Sequence, residues 1–317
     1  MANRIQETCN QLIDNVTKVI VGKEKIIQLM FVALLCEGHV LIEDIPGVGK
    51  TTLAKAVSKS IGCTFQRIQF TPDLLPSDVT GIHYFNQKTA DFELRPGPIM
   101  ANIVLADEIN RATPRTQSSL LECMQERQVT IDGETIILQR PFLVIATENP
   151  IELEGTFPLP EAQIDRFLLR LKLGYPTETE EKDILLRFMN SDPLENLTSI
   201  IKVQNLLELQ QQCNQIMIED SVLNYIVNIC RATRNYKGVQ LGVSPRATLS
   251  LCQASQAWAA IQGRDFVIPD DVKVLAQPVL SHRLINDLQS SFRGKASETI
   301  IEEIVNSIPV PLETDGL

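Results

Sequence analysis

The stretch EDIPGVGKTTLAKA (43–56) decides the fold. It closes on Gly49-Lys50-Thr51, the end of the phosphate-loop pattern G-x-x-x-x-G-K-[ST]. Counting back across four spacers, the first glycine of that pattern falls at position 44, where this chain has Asp44. A phosphate cradle needs backbone N–H groups converging on anionic oxygens at a helix N-terminus, whose dipole favours negative charge. Gly47 and Gly49 give the loop that freedom, Lys50 supplies a point charge for the β- and γ-phosphates, and Thr51 offers a hydroxyl to Mg²⁺. Position 44 lies at the strand end, farther from the phosphates than Gly49, so losing glycine there is tolerable. An apolar run (39–43) precedes the loop and an alanine-rich helical run, TTLAKAVSKSI, follows it, as the motif requires. Asp44, Pro46, Gly47, Val48, Gly49, Lys50, Thr51 and Thr52 are therefore expected to surround a nucleotide, with Lys50 facing solvent in its absence.

Outward from the loop, NIVLADEIN (102–110) is an apolar run ending in Asp107-Glu108. At the end of a buried strand beside a phosphate loop, Asp107 can hold Mg²⁺ through water and Glu108 can orient and deprotonate an attacking water. FLVIATENP (142–150) is another apolar run with a polar end, and its Asn149 can reach a γ-phosphate or the lytic water. In LPEAQIDRFLLRLKL (159–173), Arg166 either pairs with Asp165 or Glu161 or reaches a neighbouring subunit's phosphate. GVSPRATLSL (242–251) puts Arg246 in the first turn of a helix, where the dipole disfavours a cation, so an anionic partner is implied.

Short apolar runs at 39–43, 65–70, 103–106, 142–147 and 167–173 alternate with helical patterns, which predicts βα units and a parallel sheet. After residue 200 helical spacing dominates, with Val222, Tyr225, Ile226 and Ile229 on one face. The boundary is expected near SDPLEN (191–196), giving an α/β domain over 1–195 and a helical domain over 196–317. Two segments interrupt the pattern. Residues 78–99 hold two β-prone runs around a polar centre, and 127–138 place Asp132-Gly133 between alternating runs, a hairpin signal.

Composition narrows the function. A net charge of −10 argues against constitutive binding to duplex DNA, which needs clustered cations. No apolar window is long enough for a membrane span, and the polar N-terminus MANRIQETCNQ is unlike a signal peptide. Seven scattered cysteines without a C-x-x-C pair fit core thiols in a reducing cytoplasm.

The succession DIPGVGKTTLAKA, RIQFTPDLLPSDVTG, LRPGPI, LADEINRATPRTQSSLLECMQE, ATENPIELEGTFPLPEAQIDRF and GVSPRA resembles the MoxR family of AAA+ ATPases, over about residues 15 to 285. The resemblance implies an α/β AAA+ core with β-hairpin inserts and a small all-α lid. Lys50 and Thr51 match Walker A, Asp107 and Glu108 Walker B, Asn149 sensor 1, Arg166 the arginine finger and Arg246 sensor 2 on the lid. Val21-Gly22 matches the segment lining the adenine pocket, and 78–99 and 127–138 match the helix-2 insert and pre-sensor hairpin. The implied cofactors are ATP and Mg²⁺, bound between the two domains. The implied assembly is a ring, usually a hexamer, often working with a partner that carries a von Willebrand factor A domain on a protein client. The rival readings are a magnesium-chelatase-like motor subunit and an ATP-dependent assembly switch with negligible turnover.

Overall fold

In the computed structural model, which describes residues 2–150, 155–189, 191–287 and 296–311, two helices open the chain. These are α1 (Ala2–Thr17) and α2 (Glu24–Leu35), followed by β1 (Val40–Glu43), α3 (Lys50–Ser60), β2 (Phe65–Gln69) and α4 (Pro76–Thr80). Next come a hairpin of β3 (Gly81–Asn86) and β4 (Asp91–Pro96), then β5 (Ile103–Asp107) and α5 (Pro114–Glu126). A second hairpin, β6 (Gln128–Ile131) and β7 (Glu134–Ile137), precedes β8 (Leu143–Glu148), α6 (Glu161–Ile164), β9 (Leu169–Leu171) and α7 (Glu178–Phe188). The rest is α8 (Val203–Cys213), α9 (Asp220–Arg234), β10 (Val239–Leu241), α10 (Pro245–Ile261), α11 (Pro269–Leu280), β11 (Ile285–Asn286) and α12 (Ser297–Ser307).

The central sheet has strand order β2-β5-β8-β1-β9, and every pairing in it is parallel. Its inner strands β1, β5 and β8 begin as unbroken apolar runs because both of their faces are buried, whereas the edge strand β2 alternates with polar residues. Val40 and Ile42 pack with Ile103, Leu105 and Ile145 on one face, while Leu41 packs with Val104, Ala106 and Val144 on the other. All five strands point the same way, so the carboxyl ends of β1, β5 and β8 lie side by side, the edge where parallel sheets carry their ligands.

The two inserts form hairpins outside this sheet. Asp132 and Gly133 take φ of 50° and 88°, the left-handed pair that a tight two-residue turn requires. His83 of the first hairpin bonds Asp132 of the second, with Nδ1 to Oδ2 at 3.0 Å.

Beyond residue 200 the chain is helical apart from an antiparallel ladder of β10 and β11, a detail the expectation of an all-helical lid lacked. The ladder joins the chain after α9 to the chain after α11, two stretches that helical periodicity leaves unassigned. The lid's α10 buries Ala254, Ala257, Ala259 and Ala260, and these small side chains let it pack closely on α1 and α2. One apolar core runs from Ile5 and Leu12 through Phe31 to Leu251, Trp258 and Leu275. Ala2 N–H donates to Asp265 Oδ1 at 2.9 Å, and Arg4 pairs with Glu208 at 3.0 Å, so the start of α1 is tied to the lid.

Candidate nucleotide site

Gly47 and Gly49 take φ of 86° and 91°, a left-handed backbone that explains glycine at both positions. No side chain caps α3 at Gly49, so an anion on its first-turn N–H groups would do what a cap otherwise does. Lys50 is 9% exposed, contrary to the solvent-facing position expected of it, because its Nζ folds back to donate to Asp44 O at 2.7 Å. Burial pulls the Lys50 ammonium below its ordinary pKa, while the charges of Asp107, Asp44 and Glu108 oppose that shift.

Asp44, expected among the nucleotide contacts, uses its carboxylate on backbone N–H groups of the chain. Its side chain is buried and turned toward β9, with Oδ2 accepting from Leu173 N–H at 2.6 Å and Gly174 N–H at 2.7 Å. Its Oδ1 accepts from Ile45 N–H at 2.8 Å. A glycine here would leave these N–H groups without the carboxylate, so the aspartate substitutes a clamp on β9 for backbone freedom. Asp44→Gly, which restores the ordinary loop pattern, is therefore expected to destabilise the chain by about 3 kcal/mol, since charge-assisted bonds to buried N–H groups are lost. Urea unfolding measures it, and an unchanged midpoint with an unchanged slope would show the clamp to be dispensable.

The carboxylates of Asp107 and Glu108 are held from the neighbouring strands. Thr147 Oγ1 on β8 donates to Asp107 Oδ1 at 2.6 Å and accepts from Glu108 N–H at 2.8 Å. Glu108 itself has φ 57° and ψ 50°, a left-handed conformation that a non-glycine residue keeps only when its surroundings impose it. On β2, Arg67 donates to Asp107 Oδ2 from Nε at 3.0 Å and from Nη2 at 2.6 Å. The same Nη2 donates to Gln69 Oε1 at 2.6 Å, and Gln69 Nε2 donates to Glu108 Oε2 at 2.7 Å. Arg111 Nη1 also reaches Glu108 Oε2, at 3.0 Å. Asn149, 5% exposed, follows directly on β8. The hydroxyl of Thr51 and the carboxylate of Asp107 are hard oxygen donors of the kind Mg²⁺ takes, and that ion is the one the donor set fits.

Arg67, Gln69 and Thr147 escaped the sequence reading. Their signal was there: Arg67 and Gln69 are long polar side chains at alternate positions of a run read as core strand, so both lie on one face.

A cleft beside the loop is lined by Val19, Ile20, Val21, Val48, Ile184 and Phe188, an apolar pocket suited to a flat base. Gly22 adjoins it with φ 69°, and a Cβ there would collide with the Glu180 carboxylate. Every residue lining this cleft precedes residue 195. The expected contribution of the second domain to the site is not among this cleft's lining residues.

Arg246 is likewise away from the loop. It lines a separate cleft with Arg166, Arg127, Arg283 and the edge of His39. The lid grips the segment that carries Arg166: Arg283 Nη2 donates to Phe167 O at 2.7 Å and Ser244 Oγ to Asp165 at 3.4 Å. His39 is not a cation here. Its Nδ1 accepts from Val144 N–H at 3.0 Å, so Nε2–H donates to Met124 O at 2.9 Å, and burial lowers its pKa to about 4.

With this geometry in view, the comparisons agree. The model of the ATPase family associated with various cellular activities (AAA) matches residues 39–169, and an AAA lid domain model matches 231–304. The chain is 52% identical to the uncharacterised protein YeaC of Bacillus subtilis, covering 96% of this chain and 95% of that one. It is 40% identical to Chaperone MoxR1 of Mycobacterium tuberculosis, over 96% of this chain and 82% of that one. The crystal structure of a presumed ATPase from Cytophaga hutchinsonii superposes with a TM-score of 0.93 at 37% identity, over 98% of this chain and 97% of that one. Matches to magnesium-chelatase subunits are more distant, at 25% and 24% identity. The phosphate loop on β1, the paired carboxylates on β5, the two hairpins and the helical lid therefore belong to one known design, and the chain is a member of the MoxR family of AAA+ ATPases.

Proposed function

We propose that the chain is an ATP hydrolase that works as a ring, probing and remodelling a protein client in the manner of a chaperone. The observation that carries this reading is the convergence of Lys50, Asp107, Glu108 and Asn149 on adjacent strand ends, with an apolar cleft beside them. The triphosphate lies on the N–H groups of Gly47 to Thr52, with Pro46 shaping the loop and Val21 and Gly22 bordering the base. Thr51 and Asp107 would hold Mg²⁺, which supplies charge neutralisation on the transferring phosphoryl group. Glu108 accepts the proton of the attacking water, and Asn149 orients that water toward the γ-phosphate.

Arg166 and Arg246 serve a second copy. Both line a cleft to which the chain's own loop contributes no residue; Arg127 and Arg283 line it too but are paired with Glu37 and Asp165, so the proposal rests on Arg166 and Arg246. A neighbouring subunit's γ-phosphate is the anion such a pair fits in a ring, and a hexamer is the expected closure. In this reading sensor 2 acts across the subunit boundary rather than within the chain.

The name of the mycobacterial relative supports a chaperone-like role; metal-cofactor insertion or assembly of a complex, beside a partner with a von Willebrand factor A domain, is the finer role that the family resemblance implies. The low identity to magnesium-chelatase subunits ranks that motor reading below it. An assembly switch with negligible turnover stays distinguishable by steady-state phosphate release in the presence of client. The acidic balance disfavours a nucleic-acid motor. No described helix is long and apolar enough to cross a membrane, which is compatible with work in the cytoplasm.

The decisive test of the site is Lys50→Ala. Affinity for a fluorescent ATP analogue should fall by about tenfold or more, since hydrogen bonds to charged groups are worth roughly 1.5–3 kcal/mol. Unchanged affinity removes the phosphate-loop assignment.

A further inference from the structure

Asp107, the carboxylate that would hold the metal, already has a cation on it. Its Oδ1 is taken by Thr147, and its Oδ2 receives both Nε and Nη2 of Arg67. The Asp107 side chain is 12% exposed, whereas that of Arg67 is 47% exposed. The carboxylate is thus fixed and nearly dry, while its partner can swing into water at little cost in solvation. A strongly hydrated divalent ion needs the lone pairs of Asp107 for its water shell, and a guanidinium on the same oxygen competes for them and repels the ion. Arg67 also sits on β2, whose carboxyl end runs into α4 and the first hairpin, so whatever moves that hairpin moves the competitor.

We propose that Arg67 is an internal counter-cation that occupies the Asp107 carboxylate until a divalent metal arrives, and so sets the metal concentration at which the site loads. The inference rests on the reading of Asp107 as a metal ligand. Loading then exchanges one cation for another: the Arg67 guanidinium leaves Oδ2 for solvent as the hydrated metal takes that oxygen. Through its second bond, to Gln69, the same movement reaches the side chain that holds Glu108.

The test uses Mn²⁺ as a paramagnetic probe, titrated into the full-length protein with a non-hydrolysable ATP analogue and followed by electron paramagnetic resonance. Arg67→Gln removes the charge and should tighten Mn²⁺ binding about two- to fivefold, the range set by a half-exposed ion pair. Arg67→Lys keeps the charge but offers no fork, so it should fall between wild type and Arg67→Gln; it also serves if the glutamine variant does not fold. Unchanged or weaker Mn²⁺ binding in the variant overturns the exchange. Asp107→Asn separates the two levels of the claim. If it leaves Mn²⁺ binding intact, Asp107 is no metal ligand; if it abolishes binding while the Arg67 variants match wild type, only the counter-cation role fails.

Discussion

Glu108→Gln is expected to bind ATP with near-normal affinity and to hydrolyse it about 10²–10⁴ times more slowly, the usual cost of removing a general base. The reason is local. Glu108 Oε2 accepts from Gln69 and from Arg111, an arrangement that positions an acceptor near Lys50. An amide keeps the shape and one acceptor oxygen, which can still face those two donors, but it has no basicity to offer a water. The left-handed backbone at Glu108 and its bond to Thr147 do not depend on the side-chain charge, so the fold should hold. Phosphate release measured alongside analogue binding separates the effects. Turnover within a few fold of wild type would mean that another group takes the proton. The same variant, stalled with ATP, is the form in which a client should be retained for identification.

Arg166→Ala is expected to bind ATP, assemble, and lose roughly 10³–10⁵ in rate, the worth of an arginine supplied to a phosphoryl-transfer site. The structure sharpens this expectation. Arg166 lines one cleft with Arg246, and no residue of the phosphate loop lines it, which supports the proposal that both arginines serve a neighbour's phosphates. Mixing is the discriminating measurement. Lys50→Ala subunits keep the arginines and lack a working loop; Arg166→Ala subunits keep the loop and lack the finger. In a mixed ring an intact loop sits beside an intact finger, and partial recovery of hydrolysis is the expected result. Mixed rings seen by native mass spectrometry without any recovery would return Arg166 to a role inside its own subunit. Arg246→Ala should behave alike in the same mixing experiment.

Much of this was legible in the linear chain because it depends on local pattern. A glycine pair before Lys50-Thr51, a strand before it and a helix after it make a phosphate loop almost wherever they occur. Asp107, Glu108 and Asn149 announce themselves as polar residues at the ends of apolar runs, and parallel strands bring such ends to one edge. Asp132-Gly133 between alternating runs dictates its hairpin, since few residues accept the left-handed backbone of that turn. The α/β core and the helical lid follow from periodicity alone.

What the tertiary structure decided is where separate pieces meet. No pattern in the sequence says that the Asp44 carboxylate turns away from the loop to clamp Leu173 and Gly174, because those N–H groups are 129 and 130 residues away. None says that Arg67 covers Asp107, a contact set by the register of β2 on β5. The position of the lid is the largest case. Helical spacing shows that α10 has an apolar face, but several surfaces of the same chain are apolar enough to receive it. Packing of α10 on α1 and α2 selects one of them, and with that choice Arg246 lines one cleft with Arg166. Local sequence determines which polar side chains stand at the strand ends; long-range packing determines which of the distant side chains meet.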